Sequence, residues 1–315
     1  MRATLALAVL LACAAPASAD QNDFTLERLI GPPVVPGTIN DPSTIAIQSS
    51  YRSLMSEMGV VMSPKFLSPA DTLGWSGFQL SFDTSFTAIS NKADYWQKGV
   101  EKVSSGFLPT ISVFARKGLW LPLPSIEIGA GGTKLLDSEI YALQLYIKFA
   151  LHEGFHHHDS WLGVIMPSIA FRGAVSHLFG SSQVDMTIIS VDASISKSFG
   201  IAGVLKLDPY LGANVLLNIV RSGVIDTSPN VDAFKQGPMG VDLNANTTFL
   251  DQDTIVRWRL FAGFRLVYWK FALTGEFAYT LCNDSGGDCG VNKSAKIPDR
   301  SDGQAQISFS GSVLF

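Results

Sequence analysis

Beyond its N-terminus the sequence has no apolar run of about 18 residues or more, which excludes membrane-spanning helices. Charge is scarce, at 16% of 315 residues, and the formal net charge is −4, so no positive field points to a nucleic-acid partner. No glycine-rich loop follows a strand into a helix; the glycines of residues 129–132 sit in a strand-like context, so phosphate cradling is not expected. Histidine is limited to 5 residues, and the one cluster, His156, His157 and His158 followed by Asp159, consists of neighbours that cannot all aim at one ion. It reads as a connecting loop, and neither a metal nor a cofactor is expected. Cysteine is limited to 3 residues, too few for a disulfide framework or a zinc site.

Apolar residues are abundant by contrast, at 47% with a mean hydropathy of +0.24. High hydrophobicity without long runs requires apolar and polar residues to alternate. The last eleven residues, AQISFSGSVLF, show this alternation: Ala305, Ile307, Phe309, Val313 and Phe315 share one parity, and Gln306, Ser308, Ser310 and Ser312 the other. Only a β-strand places those sets on opposite faces.

The N-terminus carries Arg2, an apolar stretch over residues 5–12, and the small-residue site Ala17-Ser18-Ala19 before Asp20, which reads as a signal peptide over residues 1–19. A lipoprotein-type cleavage before Cys13, after Leu10-Leu11-Ala12, stays open as an alternative. Residues 20–73 differ from the rest. Prolines and glycines in GPPVVPGTINDPST deny regular structure, and a helix is expected from about residue 44 to 58, capped by Ser43 or Thr44, with Ile45, Ile47, Tyr51, Leu54, Met55 and Met58 as an apolar stripe. Such a segment either plugs a barrel or lies as a leader at its mouth.

From residue 74 the period becomes two. Phe78, Leu80, Phe82, Phe86 and Ala88 alternate with Gln79, Ser81, Asp83, Ser85 and Thr87, and eight further segments repeat the pattern before the terminal strand. The fold class expected is all-β, an antiparallel transmembrane barrel of about ten strands over residues 74–315; a hairpin hidden in residues 221–252 would raise the number to twelve. A soluble sandwich fits less well, because one face is long, apolar and often aromatic while the other is densely polar.

A strand that ends in a C-terminal aromatic resembles the closing strand of Gram-negative outer-membrane β-barrels, whose final residue belongs to the signal read by the barrel assembly machinery. The segments SPADTLGWSGFQLSFD, FRGAVSHLFG, DASISKSFGIAG and DPYLGANVLL also resemble such proteins, which are themselves largely uncharacterised. The resemblance implies a place in the outer membrane, contact with its lipid, and Phe315 as the assembly signal on the periplasmic side. The longest connections then fall outside, and Trp75, Trp120, Trp161 and Trp269 fall at the periplasmic end as an interfacial girdle.

Inward parity is expected for Arg257, Arg259, Arg265 and Arg172, opposed by Glu127, Asp192, Asp208 and Glu276, with Arg116, Lys148, Lys206 and Asp83 on the same face. Two readings follow: a narrow lumen filled by mutually neutralising charges, or a constriction that selects solutes. Cys282 and Cys289 form an even pair in an exported chain, which suggests a local disulfide, with free thiols as the alternative. Catalysis is not expected, since neither Ser176-His177 nor His152-Glu153 lies in a pattern like those of barrel enzymes, although a catalytic barrel stays open. The function expected is passage of a small solute whose identity the sequence does not define. A non-conducting structural or surface-binding barrel, or less plausibly a carrier of hydrophobic compounds, is the alternative.

Overall fold

A computed structural model gives the fold and describes residues 21–30, 42–102, 105–119, 125–153, 166–201, 203–226, 246–282, 289, 291–292 and 297–315. Alternation has its expected consequence. Strands β1 (Phe78–Ala88), β2 (Phe107–Leu119), β3 (Ser125–Leu135), β4 (Tyr141–His152), β5 (Ser168–Phe179), β6 (Val184–Ser196), β7 (Leu205–Ser222), β8 (Gln252–Tyr268), β9 (Phe271–Leu281) and β10 (Gln304–Leu314) run up and down in chain order. The β1–β10 pairing closes the sheet into a ten-stranded antiparallel barrel. Closure removes every unpaired strand edge, which a sheet in lipid has no water to satisfy. A short strand, Phe199–Ile201, adds to β7, and the pairing of Ile225–Asp226 with Asn246–Thr247 stays outside the barrel. The hairpin that would have made twelve strands is therefore absent from the barrel wall.

Register puts the two parities where the pattern predicts. Across the closing pair Phe82 faces Gly311 and Asp83 faces Ser310, the first couple outward and the second inward. Phe309 and Leu260 are 57% and 52% exposed, although they stand mid-strand on a continuous apolar band. Such a band is stable only against hydrocarbon, so the fold is that of a transmembrane β-barrel.

The barrel has two unlike mouths. At one lie the start of β1, the β8–β9 turn with Trp269 and Lys270, and the C-terminal Phe315, whose backbone pairs with Phe78. At the other lie the connections 89–106, 136–140, 180–183, 223–251 and 282–303. Among the described residues three helices accompany the strands: α1 (Glu27–Ile30), α2 (Pro42–Met62) and α3 (Asp94–Gly99). The expected helix is α2, longer at both ends; the side chains of its proposed caps, Ser43 and Thr44, lie outside the described residues. So do the leader over residues 1–19, with Cys13, and the histidine cluster at residues 156–159.

Parity makes a direct prediction. Leu260→Arg, near the middle of β8, is expected to destabilise the barrel in lipid vesicles by about 2–4 kcal/mol, whereas Tyr268→Arg at the strand's end is expected to cost roughly 0–1 kcal/mol. Equal losses in denaturant titrations of the two variants would contradict the placement of Leu260 near the middle of the lipid-facing band and Tyr268 at its edge.

Candidate functional site

Small polar residues recur along the inner wall. Ser81, Ser85, Thr110, Ser112, Ser190, Ser308 and Ser310 are buried on inward positions, and their side chains are too short to meet across a ten-stranded lumen. The space goes to the chain's own N-terminal segment. Every residue from 51 to 71 is buried, first as the second half of α2 and then as an extended strap running to the start of β1.

Helix and wall match in character along the lumen. Towards the long-connection mouth the wall turns apolar, with Leu108, Leu135, Leu178, Met186, Ile188, Leu216 and Val220 pointing inward against Leu54, Met55, Met58, Val61 and Met62. Each such side chain, fully buried, contributes roughly 1.5–3 kcal/mol relative to exposure. Gly59 lies against the Asn218 side chain, where any Cβ would overlap it, so glycine sets how closely α2 approaches β7. The helix is buried all round from Tyr51 onward, so its polar residues need partners of their own.

Those partners descend in register with the wall. Arg52 donates to Gln252 Oε1 at 2.8 Å and to the Thr254 carbonyl at 3.1 Å. One turn further, Arg257 donates to Ser56 Oγ at 2.9 Å and Ser301 Oγ at 2.6 Å, and Arg259 to Ser63 Oγ at 2.9 Å and the Pro64 carbonyl at 3.0 Å. Gln144 and Ser176 both donate to the Met62 carbonyl where the helix ends. Lys65 reaches Thr110 at 3.2 Å and the Val61 carbonyl. Along the strap Arg116 donates to the Phe66 carbonyl at 2.6 Å, and Lys148 to the carbonyls of Pro69 at 2.9 Å and Asp71 at 2.6 Å. Phe66 itself packs under Arg172, whose guanidinium lies 4.4 Å from the ring centroid, and against Tyr146. At the lower mouth Thr72 donates to Glu153 through both N–H and hydroxyl, and the Leu73 N–H to Glu127.

The sequence-predicted charges are all inward, but they do not form one constriction. Arg257 and Arg265 lie on one strand about 27 Å apart at about 3.4 Å per residue. Nor do the charges simply neutralise one another, as the filled-lumen reading expects. Arg172–Asp192 and Arg265–Asp208 pair at 2.8 Å, and Lys148 approaches Glu127 at 3.8 Å. Arg116 and Arg259 instead donate to hydroxyls and main-chain carbonyls of the N-terminal segment, and Arg257 divides its hydrogen bonds between Ser56 of that segment and Ser301 and Asp302 of the 282–303 connection. Glu276 accepts from the Tyr210 hydroxyl at 2.9 Å.

At the upper mouth Glu57 of α2 is the hub. It accepts from the Ser90 N–H and hydroxyl, the Tyr95 hydroxyl at 2.6 Å, Trp96 Nε1 at 2.7 Å and the Asp302 N–H at 3.2 Å. Trp96, on α3, is buried here and not part of any lipid-facing girdle. Cys282 and Cys289 form a disulfide beside Ser301, the residue that Arg257 also holds. Trp75 and Trp269 are exposed at the lower mouth, while Trp120 and Trp161 lie outside the described residues. The two histidine pairs do not assemble: Ser176 faces the lumen and His177 the exterior, and Glu153 is engaged by Thr72 and Ser125.

The arrangement defines a transmembrane barrel whose lumen is occupied by its own N-terminal segment. No protein-family profile matches the sequence, and no curated protein matches it. Among solved structures the chain is similar to Neisserial surface protein A, at 12% identity and a TM-score of 0.27 over 76% of this chain and 96% of that one. It is also similar to LpxR from Salmonella typhimurium, at 8% identity and a TM-score of 0.33 over 75% and 100%. Acinetobacter baumannii Omp33 matches at 8% identity and a TM-score of 0.26 over 78% and 100%. Likeness at this level carries no argument about activity.

Glu57→Gln leaves one acceptor oxygen among donors that two now share, with about 1.5–3 kcal/mol lost for each charged hydrogen bond removed. A loss of roughly 2–5 kcal/mol in denaturant titration is expected, and an unchanged midpoint would contradict the hub. Burial, with the adjacent Glu57 carboxylate, also holds the Tyr95 phenol well above its ordinary value of 10.0. The neutral phenol is therefore favoured by folding: this contribution is constant below pH 10 and declines as pH rises above it. Ultraviolet titration of the folded protein should leave Tyr95 un-ionised past pH 10, and Tyr95→Phe should reduce the alkaline loss of stability.

Proposed function

We propose that this is an outer-membrane barrel, closed in its resting state, which acts through its long-connection face and does not serve as an open pore. The observation that carries this is the unbroken buried run from residue 51 to 71, tied to the wall from one mouth to the other. A solute path needs continuous water-filled space, and a helix about 10–12 Å across with its side chains leaves none beside it in so small a barrel. The apolar exterior supports the outer membrane as its location and membrane lipid as its partner, and insertion by the barrel assembly machinery is part of the same proposal. The connections 223–251 and 282–303, the second containing the disulfide, offer the surface for recognition.

A gated passage for small solutes is the second reading, and a specific feature favours it. Arg116, Arg257 and Arg259 hold the segment through neutral oxygens, so its withdrawal leaves uncompensated cations on the wall and an opening that prefers anions. Planar-bilayer recording separates the two. The full chain is expected to give no steady conductance, and a stably open channel in the unmodified protein would overturn the closed resting state. Arg116→Gln with Arg259→Gln should remain silent in the first reading; openings in that variant, with little anion preference because two of the three cations are gone, would establish the second.

A further inference from the structure

The path of the N-terminal segment has a direction. Residues 21–30 do not sit at the mouth where β1 begins. The Asn22 N–H donates to the Asp137 carbonyl at 2.9 Å, the Thr25 N–H to Gly99 at 3.0 Å, and the Leu26 N–H to Gln183 Oε1 at 2.9 Å. Arg28 pairs with Glu101 at 3.0 Å. All four partners belong to connections at the long-connection mouth. Helix α2 then enters at that same mouth, where Ser49 Oγ donates to the Pro298 carbonyl at 2.8 Å and the Leu250 N–H to Gln48 Oε1 at 3.0 Å. Its later contacts move steadily down the wall, from Gln252 to Arg257 to Arg259 along β8 and from Gln144 to Lys148 along β4. The strap leaves at the opposite mouth, where Lys117 Nζ meets the Ser76 carbonyl at 3.1 Å and β1 starts.

We infer that the chain is threaded through its own barrel, so that the N-terminal stretch is displayed on the outer face of the membrane while the C-terminus stays on the inner face. The segment is thus a transmembrane element of its own, and the barrel is a device that holds this stretch at the outer surface. The mode of grip suits that role. Along the strap Arg116, Arg259 and Lys148 hold main-chain carbonyls, groups every residue has, so the wall binds an extended polypeptide as such. Residues 21–30, docked across α3 and the 136–140 and 180–183 connections, cap the outer end. The inference rests on the outer-membrane reading only for which mouth faces outward.

Labelling of intact cells with a membrane-impermeant maleimide tests it, using Gln21→Cys, Thr248→Cys in a long connection and Lys270→Cys in the β8–β9 turn, all at exposed positions. The native disulfide and the wild-type chain supply the background. Gln21→Cys and Thr248→Cys should label in intact cells, and Lys270→Cys only after permeabilisation. Label at Thr248→Cys with Gln21→Cys protected until permeabilisation overturns threading while leaving the orientation in place. Label at Lys270→Cys with Thr248→Cys protected overturns the orientation instead. A Ser56→Cys, Ser301→Cys pair, whose hydroxyls lie 3.1 Å apart, checks the path independently of orientation. In purified protein that retains the heat-modifiable mobility of a folded barrel, oxidation should cross-link most of it; folded protein without cross-link refutes the threaded path.

Discussion

A closed β-barrel in lipid must satisfy its inner wall without water from the membrane, and this constraint organises the rest of the molecule. Ten strands that carry many serines and threonines on their inward side enclose more room than those side chains fill. Empty space there would leave hydroxyls and guanidinium groups either hydrated in an open pore or unpartnered. The segment from residue 51 to 71 removes the choice by supplying both bulk and acceptors. Its upper half answers the apolar part of the wall with leucine and methionine. Its lower half answers the cationic part with carbonyl oxygens.

That division explains why the arginines are not paired one for one with acids. A guanidinium bound to a carbonyl and a serine hydroxyl, as in Arg259, keeps its charge without fixing a carboxylate opposite it. The segment is held by many such bonds, each modest, and by Phe66 wedged between Arg172 and Tyr146. The Glu57 hub at one mouth and the Thr72–Glu153 and Leu73–Glu127 bonds at the other fix its two ends. Sliding the segment along the lumen breaks contacts at both ends together.

The barrel itself was legible in the sequence because lipid exposure enforces alternation so strictly. Phe78 to Ala88 and Gln304 to Leu314 announce both faces of their strands, and the inward parity of Arg257, Arg259 and Arg265 follows from counting alone. What fills the lumen was not legible, since α2 reads as an amphipathic helix whether it lies at a mouth or inside. Two local signals pointed there. Residues 215–220, VLLNIV, are apolar on nearly every position, so the inward parity of β7 turns apolar towards the long connections, as it does at Ile188 in β6. The second is the run of serines on the inward parity of the last strand, Ser308, Ser310 and Ser312, too short to meet a facing wall. Asp192 and Asp208, expected to oppose the inward arginines, do pair with Arg172 and Arg265, whereas the carbonyl partners of Arg116 and Arg259 had no sequence signal, because a backbone carbonyl belongs to every residue.

Amide hydrogen exchange on the full chain in lipid vesicles, read on peptides covering residues 51–73, tests the occupied lumen most directly. Amides of α2 from residue 55 onward, together with the Ala70, Thr72 and Leu73 amides bound to Ser196, Glu153 and Glu127, should exchange as slowly as those of β1 and β10. Exchange across this stretch at the rate of an unprotected chain, with the strands still protected, would contradict the account.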